Sequence, residues 1–413
     1  MAKIVIIAPH FWPEKIGSAP YCTDLAVWLA DRGHDVIALS FRPHYPSTAE
    51  FMDWHDGSRD AEKIGRETIH RVPTQGRRGG TLGSRARNDI GFLLKVCRSA
   101  FNKDFSAADA IFAFVPNTLS LFGARLLAAR SGARLIGVVH DIESGLAGAL
   151  GFTSTNLVLS AIRLVERVAM NRPDEIVVLT NGMQKELRRL KCERPIRVLP
   201  LWCGPPAADA AEASGNFVIA YSGNFGKKQS LDQLLPFFQQ LQDKLPDARV
   251  HLRGDGSERD GLERSIVSMG LGNTTFHPLV DADLLLGTIQ SADLHLVPQA
   301  PGIGNYAIPS KVYTIMSAGR PFVCIAEDGT ELAALARESG AGVCVEPNNP
   351  AALFSAVERL FNDRAALRRM GEDARRYVGA RLDRVRILEE YEKLIEPVSV
   401  LRLGPGTKLK MDP

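Results

Sequence analysis

The sequence predicts two α/β domains in tandem, each built on a parallel sheet with helices on its faces. Short β-branched apolar runs alternate with helical patterns along most of the chain, which is the order of βαβ units. A stretch of small and turn-forming residues near the middle divides this series in two. A chain of 413 residues is also too long for one ordinary core and suits two domains of roughly 200 residues each.

The first half begins with a strand, a loop and a helix in the order of a βαβ unit. The continuous apolar run at residues 3–8 predicts a strand buried on both faces. The three-to-four spacing of apolar residues from Leu25 to Leu29 predicts a helix, and Gly33 supplies its left-handed end. Further buried strands are predicted at residues 35–40, 110–114, 134–139 and 175–179, with a helix from Asn181.

Residues 201–215 are predicted to be a linker, so that residues 1–200 form the first domain and residues 216–380 the second. Strands of the second domain are predicted at residues 217–221, 248–253, 275–277, 294–297, 321–325 and 342–345. Helices are predicted from Ser230, near Glu258, and over residues 350–377 and 382–395. We expect a C-terminal helix within residues 381–400 to pack back toward the first domain, and residues 401–413 to form a loose tail.

The composition is that of a soluble globular protein, with 45% hydrophobic and 23% charged residues. The six cysteines form no C-x-x-C pair and have no histidine at zinc-finger spacing, which favours a reduced, cytoplasmic protein. The apolar run at the start is too short for a signal peptide, and Pro9 and Pro13 interrupt it. No uninterrupted apolar stretch approaches 18 residues, which argues against a membrane-spanning helix.

The basic residues are concentrated in the first half of the chain. Residues 1–200 hold 27 Lys and Arg against 20 Asp and Glu, and residues 66–103 hold nine basic and two acidic residues. Such a segment is either a solvated surface or a region attracted to anionic lipid head groups. The apolar positions of residues 92–101, beside Lys95, Arg98 and Lys103, predict either a core face or a face lying on lipid. No helix-turn-helix or aromatic basic platform is visible, so a nucleic-acid partner is not expected.

Two strand-loop-helix segments of the second half carry candidate anion-binding residues. In residues 298–323, Pro309 is predicted at the first position of a short helix, with Ser310 and Lys311 in its first turn. A helix N-terminus with a lysine suits a pyrophosphate, and an ordinary capped helix with a solvated lysine is the alternative. In residues 221–229, Gly223 and Asn224 precede the adjacent Lys227 and Lys228, which are well placed for a leaving phosphate unless the segment is a generic turn.

An ordered set of motifs resembles glycosyltransferase family 4, and in particular the bacterial branch that builds colanic acid and O-antigen chains. The set consists of Phe-Trp-Pro-Glu-x-x-Gly-Ser at 11–18, Arg-Gly-His-Asp-Val at 32–36, Tyr-Ser-Gly-Asn-Phe-Gly at 221–226, Arg-Gly-Asp-Gly at 253–256, Ser-Ala-Asp-Leu-His-Leu-Val-Pro at 291–298, Pro-Ser-Lys at 309–311 and Ala-Gly-Arg-Pro at 318–321. The resemblance spans about residues 1–380. It implies a GT-B fold, in which two Rossmann-like domains face each other across a cleft. It also implies a nucleotide-sugar donor in the second domain, no bound metal, and retention of anomeric configuration.

The resemblance assigns roles to residues of the donor site. Gly17 and Ser18 match the loop near the donor phosphates, and Lys228 matches the phosphate-binding lysine. Three positions depart from the family pattern: Asn224 stands where many relatives have Arg, and Thr314 and Tyr306 stand where they have a pair of Glu residues. We therefore expect Ser310 and Lys311 to take over part of the phosphate binding, with Gly223, Lys227 and Pro309 also contacting the donor.

The remaining candidates follow the predicted strand at residues 134–139. The resemblance suggests that His140 lies near the donor sugar and that Asp141 or Glu143 lies near the acceptor hydroxyl. A histidine at this position is also commonly no more than a hydrogen-bonded structural residue. The expected catalytic set is His140, Asp141, Lys228 and Lys311, in which the lysines stabilise the departing nucleotide diphosphate.

The function expected on this basis is a retaining glycosyltransferase that needs no cofactor or metal. Its donor would be a UDP- or GDP-sugar carrying a fucose-like, N-acetylamino or hexose sugar. Its acceptor would be a glycan or a polyprenyl-diphosphate-linked sugar at the inner face of the cytoplasmic membrane. Two alternatives stay open: a sugar-nucleotide 2-epimerase of the same fold, and a protein that binds nucleotide sugars without catalysis.

Overall fold

The computed structural model describes residues 1–15, 17–44, 51–73, 82–151, 156–207 and 215–395, apart from the side chains of residues 82–85 and 282. Within these ranges the chain forms two α/β domains, each built on a mainly parallel sheet. The predicted fold class is therefore confirmed. Residues 208–214 of the predicted linker, residues 74–81 of the basic segment and the predicted tail lie outside the described ranges.

The first sheet has eight strands in the order β3-β4-β2-β1-β5-β6-β7-β8. All neighbouring strands run parallel except β3 and β4, which form an antiparallel pair at one edge. Its strands are β1 (Lys3–Ile7), β2 (Asp35–Phe41), β3 (Ala61–Ile64), β4 (Glu67–Val72), β5 (Ala110–Val115), β6 (Arg134–Val139), β7 (Glu175–Val178) and β8 (Ile196–Val198). The described helices of this half are α1 (Ala19–Asp31), α2 (Met52–His55), α3 (Leu82–Ser99), α4 (Ser120–Ser131), α5 (Glu143–Ala149), α6 (Asn156–Met170) and α7 (Asn181–Arg189).

Strand β5 shows why the central strands of this sheet are continuously apolar. Alternate side chains of a strand point to opposite faces. Accordingly Ile111, Ala113 and Val115 join the apolar core on one face of the sheet. Ala110, Phe112 and Phe114 join the core on the other face. Because helices cover both faces, every position of such a strand is buried.

The second sheet has six parallel strands in the order β11-β10-β9-β12-β13-β14. They are β9 (Phe217–Ser222), β10 (Ala248–Arg253), β11 (Thr274–His277), β12 (Leu294–Pro298), β13 (Phe322–Ile325) and β14 (Gly342–Val345). The helices are α8 (Leu235–Lys244), α9 (Arg259–Ser268), α10 (Ala282–Gln290), α11 (Lys311–Ser317), α12 (Glu331–Ser339), α13 (Pro350–Asn362), α14 (Arg364–Arg381) and α15 (Arg384–Lys393).

The last helix, α15, packs on the first domain. Ile387, Leu388 and Tyr391 lie in the same apolar core as residues of β1 and α1. Arg384 also donates two hydrogen bonds, of 2.7 and 2.6 Å, to the carboxylate of Asp24 on α1. The described residues therefore return to the first domain at α15, and the chain passes between the domains twice.

The two passages between the domains lie side by side. The N–H of Cys203, on the outward passage, donates a 2.9 Å hydrogen bond to the carbonyl of Leu382, on the return passage. Cys203 also forms a parallel β-bridge with Asp383. The side chain of Asp383 then accepts from the N–H of Arg386 and caps α15.

Several elements differ from their predicted positions, each for a local reason. The helix predicted from Ser230 begins only at Leu235, because Ser230 adopts φ 45° and a 3₁₀ turn follows it. The helix predicted over residues 350–377 is two helices, divided at Asp363, whose side chain caps the second. Strands β3, β4 and β8 have no prediction because their sequences mix polar and apolar residues or are three residues long.

The apolar positions of residues 92–101 are divided between the core and the surface. Phe92 and Val96 are fully buried, so this face of α3 is core. Leu94 and Phe101 are exposed beside the basic residues of the same segment, as is Ile90 just before it. Among the described residues, no helix has both the length and the apolar composition needed to cross a lipid bilayer.

Candidate active site

The candidate site lies between the carboxyl ends of the two sheets, where open α/β sheets bind ligands. His140 and Asp141 follow β6 of the first domain, and residues 223–228 follow β9 of the second. The domains touch beside this point: the N–H of Ile142 donates a 2.9 Å hydrogen bond to the carbonyl of Tyr306. Asp141 and Ala307 also form an antiparallel β-bridge. The structure therefore brings residues of both domains to one cleft.

An ion pair joins the two domains across this cleft. The amine of Lys228 donates a 2.7 Å hydrogen bond to Oδ2 of Asp141. The Lys228 side chain is 38% exposed and the Asp141 side chain 23% exposed, so solvent reaches the pair. The carbonyl of Lys228 accepts from the N–H of Ala300, which fixes the backbone from which the lysine extends. Lys228, the lysine predicted to bind a phosphate, is therefore paired with the carboxylate of Asp141 from the opposite domain.

Lys311 places a second amine at the end of β9. Its Nζ lies 3.6 Å from the centre of the Tyr221 ring and has no hydrogen-bond partner among the described residues. The amine comes so close to the backbone that a Cβ on Gly223 would lie 2.8 Å from it. Burial lowers the pKa of Lys311 well below its ordinary value. A bound anion would provide this buried amine with an acceptor and would favour its charged form.

The loop between β9 and α8 differs from a free phosphate loop. The N–H of Gly223 donates to the carbonyl of Arg253 (2.9 Å), and the N–H of Phe225 donates to the carbonyl of Asp255 (2.8 Å). Because these two N–H groups already donate to carbonyls of the protein, a phosphate at this loop would have to bind to side chains or to other backbone N–H groups. Asn224 and Lys227 are exposed. Lys227 extends from the surface of this loop, whereas Lys228 points into the cleft.

The predicted position of Pro309 is wrong. Helix α11 begins at Lys311, with Ser310 immediately before it, so Pro309 is not the first helical residue. The carbonyls of Pro309 and Ser310 each accept an N–H from three residues further on, which makes a tight turn ahead of the helix. Ser310 makes no side-chain cap bond. Thr314 lies half-buried on α11, so hydroxyl groups of both residues are on the same short element as Lys311.

Gly17 and Ser18 lie in the loop between β1 and α1. Gly17 adopts φ 68°, which favours glycine, and nothing would contact a Cβ there. Ser18 is buried at the start of α1, and its side chain makes no cap hydrogen bond. The loop therefore presents an open backbone at Gly17 next to a buried hydroxyl.

His140 is a half-buried imidazole at the end of β6. Its ring stands edge-on to Phe114 and Tyr21, with centroid distances of 5.5 and 6.2 Å. Burial lowers the pKa of His140 to about 4, although the neighbouring Asp141 opposes this shift. The imidazole is therefore neutral near pH 7 and can act as a hydrogen-bonding group without carrying charge.

Glu143 is a carboxyl group at the first position of α5. Burial raises the pKa of Glu143 to about 8, the charges of Glu166 and Asp89 add to this shift, and a hydrogen bond from the Thr118 hydroxyl opposes it. The Glu166 carboxylate accepts the backbone N–H groups of Glu143 (2.8 Å) and Ser144 (3.3 Å). Glu143 thus begins a helix whose first amides are already bonded to another carboxylate.

Tyr306 packs at the domain interface. Its ring lies against Gly145 of α5, where an added Cβ would approach the ring to 2.1 Å. It therefore does not stand free where the family pattern places a glutamate. Glycine at position 145 is what allows the second domain to approach α5 this closely.

Sequence reasoning missed several polar residues on the first-domain side of the cleft. Glu166 is the sole acidic residue of α6 and is 1% exposed, and an isolated acid in a basic, apolar helix was the available signal.

His10, Glu14 and His44 form a second group, in which Glu14 Oε2 lies 2.7 Å from His10 Nδ1 and Glu14 Oε1 accepts the N–H of His44 (2.8 Å). One possible ligand atom of each lies within 4.8 Å of the others, and these residue types bind zinc. His10 and His44 each come three residues after a strand.

Comparison with known proteins gives a consistent result for both domains. Residues 17–202 match the family model described as a glycosyl transferase 4-like domain, and residues 207–377 match the model for glycosyl transferases group 1. The chain is 27% identical over 407 residues to the putative colanic acid biosynthesis glycosyl transferase WcaI of Escherichia coli, covering 94% of this chain and 98% of that protein.

Solved structures share the same architecture. Sucrose-phosphate synthase from Thermosynechococcus elongatus superposes with a TM-score of 0.76 at 18% identity, covering 95% of this chain and 98% of that one. Anabaena HepE, solved in complex with UDP and glucose, superposes with a TM-score of 0.69 at 15% identity, covering 95% and 99%. These similarities show a GT-B fold.

Proposed function

The chain belongs to the GT-B glycosyltransferases with a 4-like first domain and a group 1 second domain, and we propose that it transfers a sugar from a UDP- or GDP-sugar to a glycan or polyprenyl-diphosphate-linked acceptor. The setting we propose is bacterial surface polysaccharide synthesis, supported by the similarity to WcaI along nearly its whole length. The sugar is fucose-like, an N-acetylamino sugar or a hexose. The observation that carries the proposal is the pair of lysine amines, Lys228 and Lys311, beside the cleft.

The proposed chemistry centres on the leaving nucleotide diphosphate. Negative charge grows on the diphosphate as the bond to the sugar breaks, and fixed cations beside it lower the barrier. Lys311, whose amine has no acceptor among the described residues, takes one phosphate oxygen. Lys228 exchanges its bond to Asp141 for a second phosphate oxygen, which leaves the Asp141 carboxylate free at the sugar.

The neighbouring side chains complete the proposed donor site. Ser310 and Thr314 offer hydroxyl groups on the element that carries Lys311, and they replace part of the contact that a glutamate pair makes in relatives. Gly17 lets the first-domain backbone approach the phosphates from the opposite side. Neutral His140 donates or accepts a hydrogen bond at the donor sugar. The proposed transfer step uses no metal.

The proposed acceptor side consists of Asp141 and Glu143. In a retaining transfer the departing phosphate takes the proton of the acceptor hydroxyl on the same face of the sugar, so no carboxylate nucleophile is needed. Asp141, once released by Lys228, accepts a hydrogen bond from that hydroxyl. Glu143, protonated near neutral pH, donates a hydrogen bond to an acceptor oxygen.

Purified variants test the role of the lysines. We expect Lys228→Ala and Lys311→Ala each to lower kcat/KM by roughly 10²-fold or more, the scale lost with one charge-stabilising donor. The exposed Lys244 on the same domain provides the matched control, since it is the last residue of α8, at the end of that helix away from this loop. Release of UDP or GDP from candidate donors is the measurement. Wild-type turnover in both cleft variants removes these lysines from the mechanism.

The products separate the proposed transfer from its rivals. A 2-epimerase is favoured by the presence of a protonated Glu143 and a neutral His140 in one cleft, both of which could move protons at a sugar carbon. Incubation with UDP- and GDP-sugars yields transfer or donor hydrolysis, epimer formation, or binding alone. Epimer formation without release of nucleotide replaces the transferase assignment. Binding without any product leaves a non-catalytic nucleotide-sugar protein.

We also place the proposed reaction at the cytoplasmic face of the membrane, where lipid-linked acceptors reside. The basic part of residues 66–103 supports contact with anionic lipid, since Ile90 and Leu94 are exposed beside Lys95 and Arg98. The buried face of α3 gives no support, because Phe92 and Val96 belong to the core.

A further inference from the structure

Helix α6 (Asn156–Met170) carries an apolar face that no described part of the protein covers. Leu157, Leu164 and Val168 are 78%, 60% and 37% exposed, and Val158 and Val165 are exposed beside them. Positions 157, 161, 164, 165 and 168 follow the three-to-four spacing of one helix face. Scattered exposed apolar residues are common, but a continuous face of this kind marks an interaction surface.

The charges on α6 define what kind of surface fits this face. Arg163 and Arg167 are exposed and flank the apolar face on one side. Glu166, the one acid of the helix, points inward and is 1% exposed. The outward surface is therefore apolar and cationic with no acidic side chain of α6 in it. This is the composition of a helix that lies in the plane of an anionic membrane surface.

The neighbouring helices extend the same character. Helix α4 packs against both α3 and α6, so the three lie on one side of the first sheet. Leu126 of α4 and Leu94 of α3 are exposed on this side, as are basic residues of α3.

The inner face of α6 connects this surface to the cleft. The Glu166 carboxylate accepts N–H groups from the first turn of α5, at Glu143 and Ser144. A membrane touching the outer face of α6 would therefore lie one helix away from Glu143, the proposed acceptor residue.

We propose that α6 is a membrane-docking helix, with Leu157, Leu164 and Val168 entering the acyl boundary of an anionic lipid layer and Arg163 and Arg167 at its head groups. This inference rests on the proposed function in one respect: it explains how an acceptor anchored in lipid reaches Glu143. The docking itself depends on the surface of α6 alone and can fail or hold independently of sugar transfer.

Vesicle co-sedimentation of the full chain tests the proposal. We expect binding to phosphatidylcholine vesicles that contain phosphatidylglycerol, and weak binding to phosphatidylcholine alone. Leu157→Ser with Leu164→Ser removes two of the apolar side chains, each of which contributes roughly tenfold or more to partitioning when fully buried. We therefore expect at least a tenfold loss of binding. Arg163→Gln with Arg167→Gln is expected to remove most of the dependence on phosphatidylglycerol.

The matched control is Val267→Ser on α9 of the second domain. Val267 is 75% exposed, so this change removes a comparable apolar side chain from a different surface. We expect its vesicle binding to equal that of the wild type. All four proteins should show the same thermal melting, since every substituted side chain is exposed.

Three outcomes overturn the proposal. The first is wild-type protein that stays in solution with both vesicle types. The second is an equal change of vesicle binding in the α6 and Val267 variants. The third is a dimer, seen by sedimentation velocity without lipid, that the Leu157 and Leu164 changes abolish, because a second copy of the chain would then be the occupant. Release of nucleotide from the donor, measured in solution without lipid, reports on the proposed transfer separately: wild-type protein that turns over the donor but does not bind vesicles overturns only the docking.

Discussion

Replacing Glu143 with Gln tests the environment of the acceptor side of the cleft. The carboxyl of Glu143 lies at the start of α5, and burial together with the nearby charges of Glu166 and Asp89 raises its pKa from 4.5 to about 8. Above pH 4.5 the unfolded chain gives up this proton, whereas the folded protein keeps it until about pH 8. Folding is therefore progressively disfavoured by this one group as the pH rises through that window.

The size of the effect follows from the two pKa values. At about 1.4 kcal/mol per pH unit, the difference between 4.5 and about 8 corresponds to roughly 3 to 4 kcal/mol of stability lost between pH 5 and pH 8. Glutamine keeps the shape of the protonated acid and cannot ionise. We therefore expect Glu143→Gln to become more stable relative to the wild type as the pH rises. Any change in the hydrogen bond to Thr118 adds an offset that does not depend on pH.

Urea unfolding followed by tryptophan fluorescence measures this difference. All four tryptophans lie within residues 1–202, so the signal reports on the first domain, which contains Glu143. Wild type and variant are compared at pH 5, 6, 7 and 8. Glu372→Gln, at an exposed position of α14, is the control and should run parallel to the wild type. A constant gap between Glu143→Gln and wild type over this range refutes the reasoning, because it means that Glu143 ionises alike in the folded and unfolded protein.

Two further predictions concern contacts that hold the domains together. In Gly145→Ala the added Cβ would lie 2.1 Å from the Tyr306 ring, so we expect imperfect closure and a loss of about 10²-fold in kcat/KM. Gly148→Ala, whose Cβ would meet its nearest neighbour at 3.4 Å, should stay near wild type, and equal activity of both variants contradicts the prediction. Asp24→Asn weakens the paired hydrogen bonds from Arg384 and should destabilise the docking of α15 by about 1 kcal/mol, seen as faster hydrogen exchange in residues 384–393. Unchanged exchange there would mean that the apolar contacts of α15 are sufficient.

The central parallel strands were predictable because their burial on both faces requires a continuous run of apolar residues, which is visible in the sequence itself. Residues 110–115 are apolar throughout, which a strand covered on both faces requires, and the structure has β5 there. The edge hairpin of β3 and β4 could not be predicted in this way. Strand β3 alternates between exposed and half-buried residues and β4 largely between buried and half-buried ones, so neither contains the continuous apolar run from which the central strands were predicted.

The candidate site shows the same division between local and long-range information. Lys228, Asp141 and Lys311 were each selected from a motif of a few residues, but the ion pair between Lys228 and Asp141 joins positions 87 residues apart. No local pattern contains that pairing. The misplacement of Pro309 has the opposite origin, since a local rule for helix starts was applied where two tight turns delay the helix. The roles of these residues in catalysis stay predictions until the variants are measured.

The paired passages at Cys203 and Leu382 bear on how the cleft opens and closes. A single connecting segment would let one domain rotate about any axis relative to the other. Two segments bonded to each other restrict the motion to rotation about one hinge axis. We expect rotation about the line of these segments to remain easy and sideways sliding to be suppressed. Each closure would then carry Lys228 back along the same arc toward Asp141, so that the alignment of the two half-sites is set far from the chemistry, by the backbone between the domains.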